Sequence, residues 1–148
     1  MRFATRTEYG LICLIFMANL KDRKPVTAKE IVSGEKFSLT FTEKILQKLR
    51  SAGLIVSLQG HQGGYILARD ASQITLKEIV EALEGHTFDV FCEPKIRSMI
   101  VCNHFHLCGL KPIWNKTKEL LDQFYGSITL EMLAKGELKS DSVAQPAA

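Results

Sequence analysis

Residues 38–68 read SLTFTEKILQKLRSAGLIVSLQGHQGGYILA, and the change of period within this stretch decides the fold. Leu39, Ile45, Leu46 and Leu49 recur at three- and four-residue spacing, which predicts a helix with one apolar face. The helix begins at Ser38 or Thr40, where Thr40 and Glu43 have the spacing of a capping box, and Gly53 stops it. Thr42, Glu43, Gln47 and Lys48 are left on its open face. Two short strands follow, Leu54 to Leu58 and Tyr65 to Ala68. The connection between them, QGHQGG, has three glycines in six residues, which supply the positive backbone torsions of a tight reversal.

Toward the N-terminus, Tyr9, Ile12, Leu14, Ile15, Phe16 and Met17 crowd a first helix that is interrupted over Lys21 to Pro25. So much apolar surface on one helix predicts burial on more than one side. Thr27 and Glu30 form a second capping box, opening a helix that ends near Gly34. Three helices followed by a glycine-tipped hairpin make a winged helix-turn-helix. That unit lays its last helix in the major groove and its wing on the neighbouring backbone or minor groove.

Charge supports a nucleic-acid partner over a merely packed domain. Residues 1–69 carry 11 Lys and Arg against 5 Asp and Glu, a net +6, whereas residues 70–148 carry 8 against 11, a net −3. The N-terminus lacks the features of a signal peptide, and the apolar run from Leu11 to Ala18 is too short to span a bilayer. A cytoplasmic protein without a membrane partner is expected. There is no phosphate loop, nucleophile motif or convincing acid–base pair, so enzymatic function is not expected.

Beyond the hairpin, a fourth helix runs from Thr75, boxed by Glu78, to Gly85. Residues 86–111 form a loop holding Cys92, Cys102 and Cys108 together with His104 and His106. In a reducing compartment clustered cysteines are more often metal ligands or redox thiols than disulfides. Two chemistries fit the cluster of donors: an iron–sulfur centre, or a structural zinc held by three sulfurs and one nitrogen. Cys13 sits in the apolar first helix and is expected in the core.

Pro112 opens a last long helix in which Trp114, Thr117, Leu121, Phe124 and Ile128 make a seam suited to a partner helix, so a homodimer is expected. A short turn at Leu130 to Leu133 precedes a tail whose composition predicts no structure. The fold class is therefore mainly α with a small β-hairpin. Its organisation is a DNA-binding unit over 1–85, a cysteine loop over 86–111, a dimerisation helix and terminal turn over 112–136, and a disordered tail over 137–148.

Several strings now stand together in one order: MRFATRTEYGL at 1–11, FTEKIL at 41–46, GHQGGY at 60–65, ITLKEI at 74–79 and CGLKPIW at 108–114. Over residues 1–136 the chain resembles the iron–sulfur transcription regulators of the IscR-like and NsrR-like winged-helix family. The resemblance implies a homodimeric repressor or activator whose Cys92, Cys102 and Cys108 hold a cluster. It implies Glu8, from the opposite subunit, as the leading fourth ligand, with His104 and His106 as competitors. Glu8 could instead add charge to the first helix or pair with Arg6. Nine residues separate Cys92 from Cys102, more than is usual in the family, which leaves the cluster open between 2Fe-2S and 4Fe-4S.

For DNA the resemblance points to the recognition helix, Ser38 to Lys48, with Ser38, Thr40, Thr42, Glu43, Lys44, Gln47 and Lys48 as candidate contacts. Glu43 matches a position at which relatives discriminate operator classes, for example by accepting from a cytosine amino group. Arg2, Arg6, Lys44 and Lys48 are candidate phosphate contacts. Gln59 stands where relatives often carry an arginine in the wing, and His61 replaces that cation only partly. The expected partner is double-stranded DNA with a palindromic operator.

Overall fold

The computed structural model describes residues 3–35, 37–90, 102–104 and 107–138. Arg2, Cys92, His106 and residues 139–148 of the tail lie outside the described residues. Six helices and one hairpin are described: α1 (Thr5–Ala18), α2 (Ala28–Val32), α3 (Leu39–Ser51), β1 (Ile55–Leu58), β2 (Gly64–Leu67), α4 (Leu76–Glu84), α5 (Leu110–Ser127) and α6 (Leu130–Lys135). Single 3₁₀ turns at Lys21–Arg23 and Ala71–Gln73 join their neighbours. No helix among the described residues is long and apolar enough to cross a membrane.

Local chemistry sets the helix starts. Thr27 and Glu30 form a reciprocal capping box on α2, as do Thr75 and Glu78 on α4. Each satisfies amides that the first helical turn leaves without partners. The predicted box at Thr40 and Glu43 does not form. Ser38 is the N-cap of α3 and its hydroxyl accepts from the Phe41 amide at 3.1 Å, which puts Thr40 inside the first turn. Pro112 occupies the third position of α5, where a missing N–H costs nothing.

Cys13, Leu14, Ile31, Leu46, Leu49 and Leu83 are among the side chains that meet in one core between α1, α2, α3 and α4. At Gly10 of α1, an added Cβ would lie 2.4 Å from Leu83 Cδ1, so the absence of a side chain sets the close approach of α1 to α4. Burial of α1 is incomplete: Ile12 and Phe16 each remain 37% exposed along one stripe. Cys13 is fully buried, and burial pushes its thiol up to about 11, which keeps it protonated and inert.

The hairpin is antiparallel, with Ile55 opposite Leu67 and Leu58 opposite Gly64. Its strands begin one residue away from the predicted bounds on each side. Val26 adds a bridge to Tyr65, through N–H···O bonds of 3.0 and 2.8 Å, and so ties the wing to the start of α2. Gly64 makes this approach feasible: a Cβ there would stand 2.7 Å from the Val26 carbonyl oxygen, and its φ of +155° disfavours other residues.

The terminal turn, grouped with the long helix by sequence, packs into the first unit. The Leu76 amide donates to Ile128 O and the Leu130 amide to Ile74 O, both at 2.8 Å, and Leu130 is fully buried in the common core. Residues 128–135 thus anchor one end of α5 to the winged unit. The Phe3 ring meets Tyr125 of α5 at 6.3 Å.

Glu84, at the end of α4, supplies the cap that α1 lacks. The Ala4 amide donates to its Oε1 at 2.8 Å, the Thr7 hydroxyl donates to the same oxygen, and Arg6 Nη2 lies 3.2 Å from Oε2. Burial raises the Glu84 pKa, but the bonds from Thr7 and Ala4 and the Arg6 charge outweigh it and hold the carboxyl below its ordinary value of 4.5. Glu78 and Asp122 are lowered in the same way. A depressed folded pKa means that the unfolded chain takes up protons first as pH falls. The stabilisation is therefore complete above the ordinary carboxylate values and is lost as pH drops through the lower folded ones.

Glu84→Gln should cost about 1–2 kcal/mol at neutral pH, the worth of charge-assisted hydrogen bonds. It should also flatten the loss of stability in acid. Urea unfolding of both proteins at pH 7 and pH 4 checks this, and parallel losses in the two would refute the role given to Glu84.

Candidate nucleic-acid interface and cysteine loop

On α3 the buried side chains are Thr42, Ile45, Leu46 and Leu49. Thr40, Glu43, Lys44, Gln47 and Lys48 are exposed. At 100° per residue, Thr40, Lys44 and Gln47 lie along the middle of the open face, with Glu43 and Lys48 on its flanks. Ser38 is exposed at the N-cap. Lys44 and Glu43 make no ion pair among the described residues. A helix N-terminal half bearing hydroxyl, carboxylate, ammonium and amide groups has the donors and acceptors needed to read base edges.

One of the predicted contacts is corrected by the structure. Thr42 is fully buried, not on the open face, because it falls at the centre of the stripe formed with Ile45, Leu46 and Leu49. Its hydroxyl donates to Ser38 O at 3.1 Å, which satisfies it without solvent or DNA. Arg6 is engaged by the end of α4: Nε donates to Leu83 O at 3.0 Å in addition to the Glu84 pair. Its side chain stays 44% exposed. The pairing with Glu84 removes the alternative in which Arg6 pairs with Glu8. Lys48 keeps an exposed side chain, with Nζ 3.4 Å from Leu83 O.

The wing presents Gln59 and His61 in an exposed tip, where the Gly63 amide closes onto Gly60 O at 3.0 Å. The outer face of β1 carries Val56 and Leu58, 40% and 44% exposed. Arg23, behind the wing, binds Leu67 O at 3.0 Å and Asp70 Oδ1 at 3.1 Å. These contacts hold the turn at Asp22 and Arg23, whose φ values of 60° and 49° are unusual outside glycine.

Glu8 is exposed on α1, on the same stripe as Ile12 and Phe16, with no ion-pair partner among the described residues. Cys102 and Cys108 are half-buried free thiols, and His104 is exposed. Cys108 immediately precedes Gly109, the N-cap of α5. Among the described residues no three His, Cys, Asp or Glu side chains converge as a metal site.

α5 lies against α4. Asp122 accepts from the Thr87 hydroxyl and sits 3.5 Å from Lys77 Nζ and 3.4 Å from Lys118 Nζ, while Trp114 meets Phe88 at 5.9 Å. Trp114 and Leu121, taken from sequence as part of an outward seam, are half-buried. The open apolar stripe runs instead through Leu110, Ile113, Leu120 and Phe124, which are 53%, 55%, 41% and 39% exposed. Its spacing of three and then seven and four residues was present in the sequence; Trp114 drew the predicted seam one residue aside. Leu107, 96% exposed, adds apolar surface beside Cys108.

A family model, Rrf2, described as "Iron-dependent Transcriptional regulator", matches residues 3–136. The chain is 29% identical over 137 residues to the HTH-type transcriptional regulator IscR of Xenorhabdus nematophila, covering 93% of this chain and 81% of that one. The structure of CymR, the global cysteine regulator of B. subtilis, matches with a TM-score of 0.74 at 27% identity over 92% of this chain and 98% of that one. That of IscR from T. potens matches with a TM-score of 0.70 at 29% identity, over 98% and 93%.

Proposed function

This chain belongs to the Rrf2 family of transcriptional regulators, and from that premise we propose that it is a homodimeric, cluster-sensing regulator that binds a palindromic operator. The observation that carries the DNA-reading part is the open face of α3, with Thr40, Glu43, Lys44 and Gln47 beside a glycine-tipped wing. Ser38, Lys48, Gln59 and His61 complete the proposed contact set, together with Arg2 and Arg6. Two copies joined along α5 would present two such faces, and an operator with matching two-fold symmetry follows.

Cys92, Cys102 and Cys108 are the proposed cluster ligands, with Glu8 of the second copy as the fourth and His104 or His106 as competing donors. The donor chemistry fits: Cys102 and Cys108 are free, half-buried thiols, and one adjoins a helix N-terminus. When bound, a 2Fe-2S or 4Fe-4S centre would supply iron–thiolate bonds sensitive to oxidation, nitric oxide and iron supply. What the protein contributes is the segment 86–111, between α4 and α5, through which the state of those bonds can reach both the winged unit and the dimer helix. Residues 1–85 read DNA, 86–111 sense, and 112–136 join the two copies, with α6 returning to brace the first unit.

Selection of duplexes from randomised DNA, followed by hydroxyl-radical footprinting, tests the symmetry. Two protected half-sites related by a dyad, one or two helical turns apart, are expected. A footprint without two-fold symmetry would refute the dimeric reading.

A further inference from the structure

The reading end of α3 is held from outside by three rings. Tyr9 of α1 is stacked on Phe37, with centroids 3.6 Å apart and planes 25° from parallel, and it meets Phe41 edge-on at 5.4 Å and 79°. Phe37 immediately precedes the N-cap Ser38, and Phe41 is the residue whose amide the Ser38 hydroxyl accepts. One α1 side chain therefore touches both sides of the cap of the recognition helix. The buried residues Ile45, Leu46 and Leu49 anchor the later turns. A hydrophobic contact across a cap fixes the angle at which the chain enters a helix. Here the contact is supplied by a different helix, so it also fixes the first turn of α3 relative to the rest of the domain.

We propose that Tyr9 is a positioning residue for DNA recognition, seating the first turn of α3 through Phe37 and Phe41 so that Thr40, Glu43 and Lys44 meet base edges in register. The inference rests on the DNA-reading role given to α3. The ring, not the phenol hydroxyl, makes the described contacts, so Tyr9→Phe keeps the function and Tyr9→Leu removes it. Without the clamp, the turn samples other orientations, and operator affinity falls in proportion to the population of the competent one. Loss of two aromatic contacts corresponds to about a tenfold fall. Sequence-independent binding depends on phosphate contacts spread over the whole surface and should change little.

The test measures binding of the full-length protein to a duplex selected by the wild type and to a scrambled duplex of the same composition. It is paired with thermal unfolding and amide exchange at Phe41 and Thr42. Tyr9→Leu should lose about tenfold for the selected duplex, keep its affinity for the scrambled one and speed exchange at both amides, while Tyr9→Phe matches the wild type. Phe37→Leu, which removes the same stack from the other side, should repeat the loss if Tyr9→Leu does not fold. Equal losses on both duplexes, or unchanged binding by folded Tyr9→Leu, would overturn the proposal. A wild type that shows no preference for any duplex would instead overturn the DNA-reading role beneath it.

Discussion

Lys44→Glu should lower affinity for the operator at least about a hundredfold at fixed salt while leaving the fold intact. Lys44 is exposed in the middle of the open face of α3 and is not committed to an ion pair among the described residues. Removing a cation at a base or phosphate contact costs about 1–3 kcal/mol, and a two-fold protein loses it at both half-sites. Reversing the charge adds repulsion from the phosphates, and about 1.4 kcal/mol corresponds to each factor of ten. Surface substitutions away from caps and pairs shift stability by only about 0.5 kcal/mol, so thermal unfolding should not change. Fluorescence anisotropy across a salt series reads both the affinity and its slope. A loss smaller than about threefold would mean that α3 does not lie against DNA as described.

Asp substituted at Ile113 or Phe124 should break the proposed dimer into monomers. Both side chains lie on the open stripe of α5, 55% and 39% exposed, in line with Leu110 and Leu120. In the proposed dimer a carboxylate placed in that seam would be desolvated without a partner, and an unpaired buried charge costs about several kcal/mol. The opposite side of α5 is occupied by Lys77 of α4, against Asp122, and by Phe88 beyond the end of α4, against Trp114, so the substitutions should spare the fold. Light scattering should give twice 16.6 kDa for the wild type and 16.6 kDa for either variant at micromolar concentration. Operator binding should fall with it, because each half-site then binds alone and the gain from linkage disappears. A variant that keeps the dimer mass would move the interface elsewhere.

Much of the fold was legible because its signals are local. The capping boxes at Thr27–Glu30 and Thr75–Glu78 form as their spacing requires. The glycines at 60, 63 and 64 mark a hairpin whose strands differ from the expected ones by one residue at three of their four ends. The burial of Thr42 was legible too, since 42, 45, 46 and 49 share one helical face; its polar side chain concealed a position that geometry assigns to the core. Thr40 lost its expected box because Ser38, two residues earlier, was available to cap.

What sequence did not reveal depends on distant partners. Arg6 meets Glu84 and Leu83 across 78 and 77 residues, and no local pattern encodes that choice. The aromatic clamp joins residue 9 to 37 and 41 for the same reason. Placement of Trp114 against Phe88 shifted the apolar seam of α5 by one residue, because a large aromatic side chain serves a core as well as an interface. Of the proposed sensor, sequence supplied the donor types and spacing, while Cys92 and His106 lie outside the described residues.

Anaerobic purification followed by a visible absorption spectrum, with iron, sulfide and zinc determined on the wild type and on Cys92→Ala, Cys102→Ala and Cys108→Ala, tests the sensing claim most directly. Brown protein with matched iron and sulfide, and colour lost in each variant, is expected. Colourless protein with one zinc per chain, or iron retained after all three substitutions, would contradict it and leave a winged-helix regulator whose cysteine loop has a structural role.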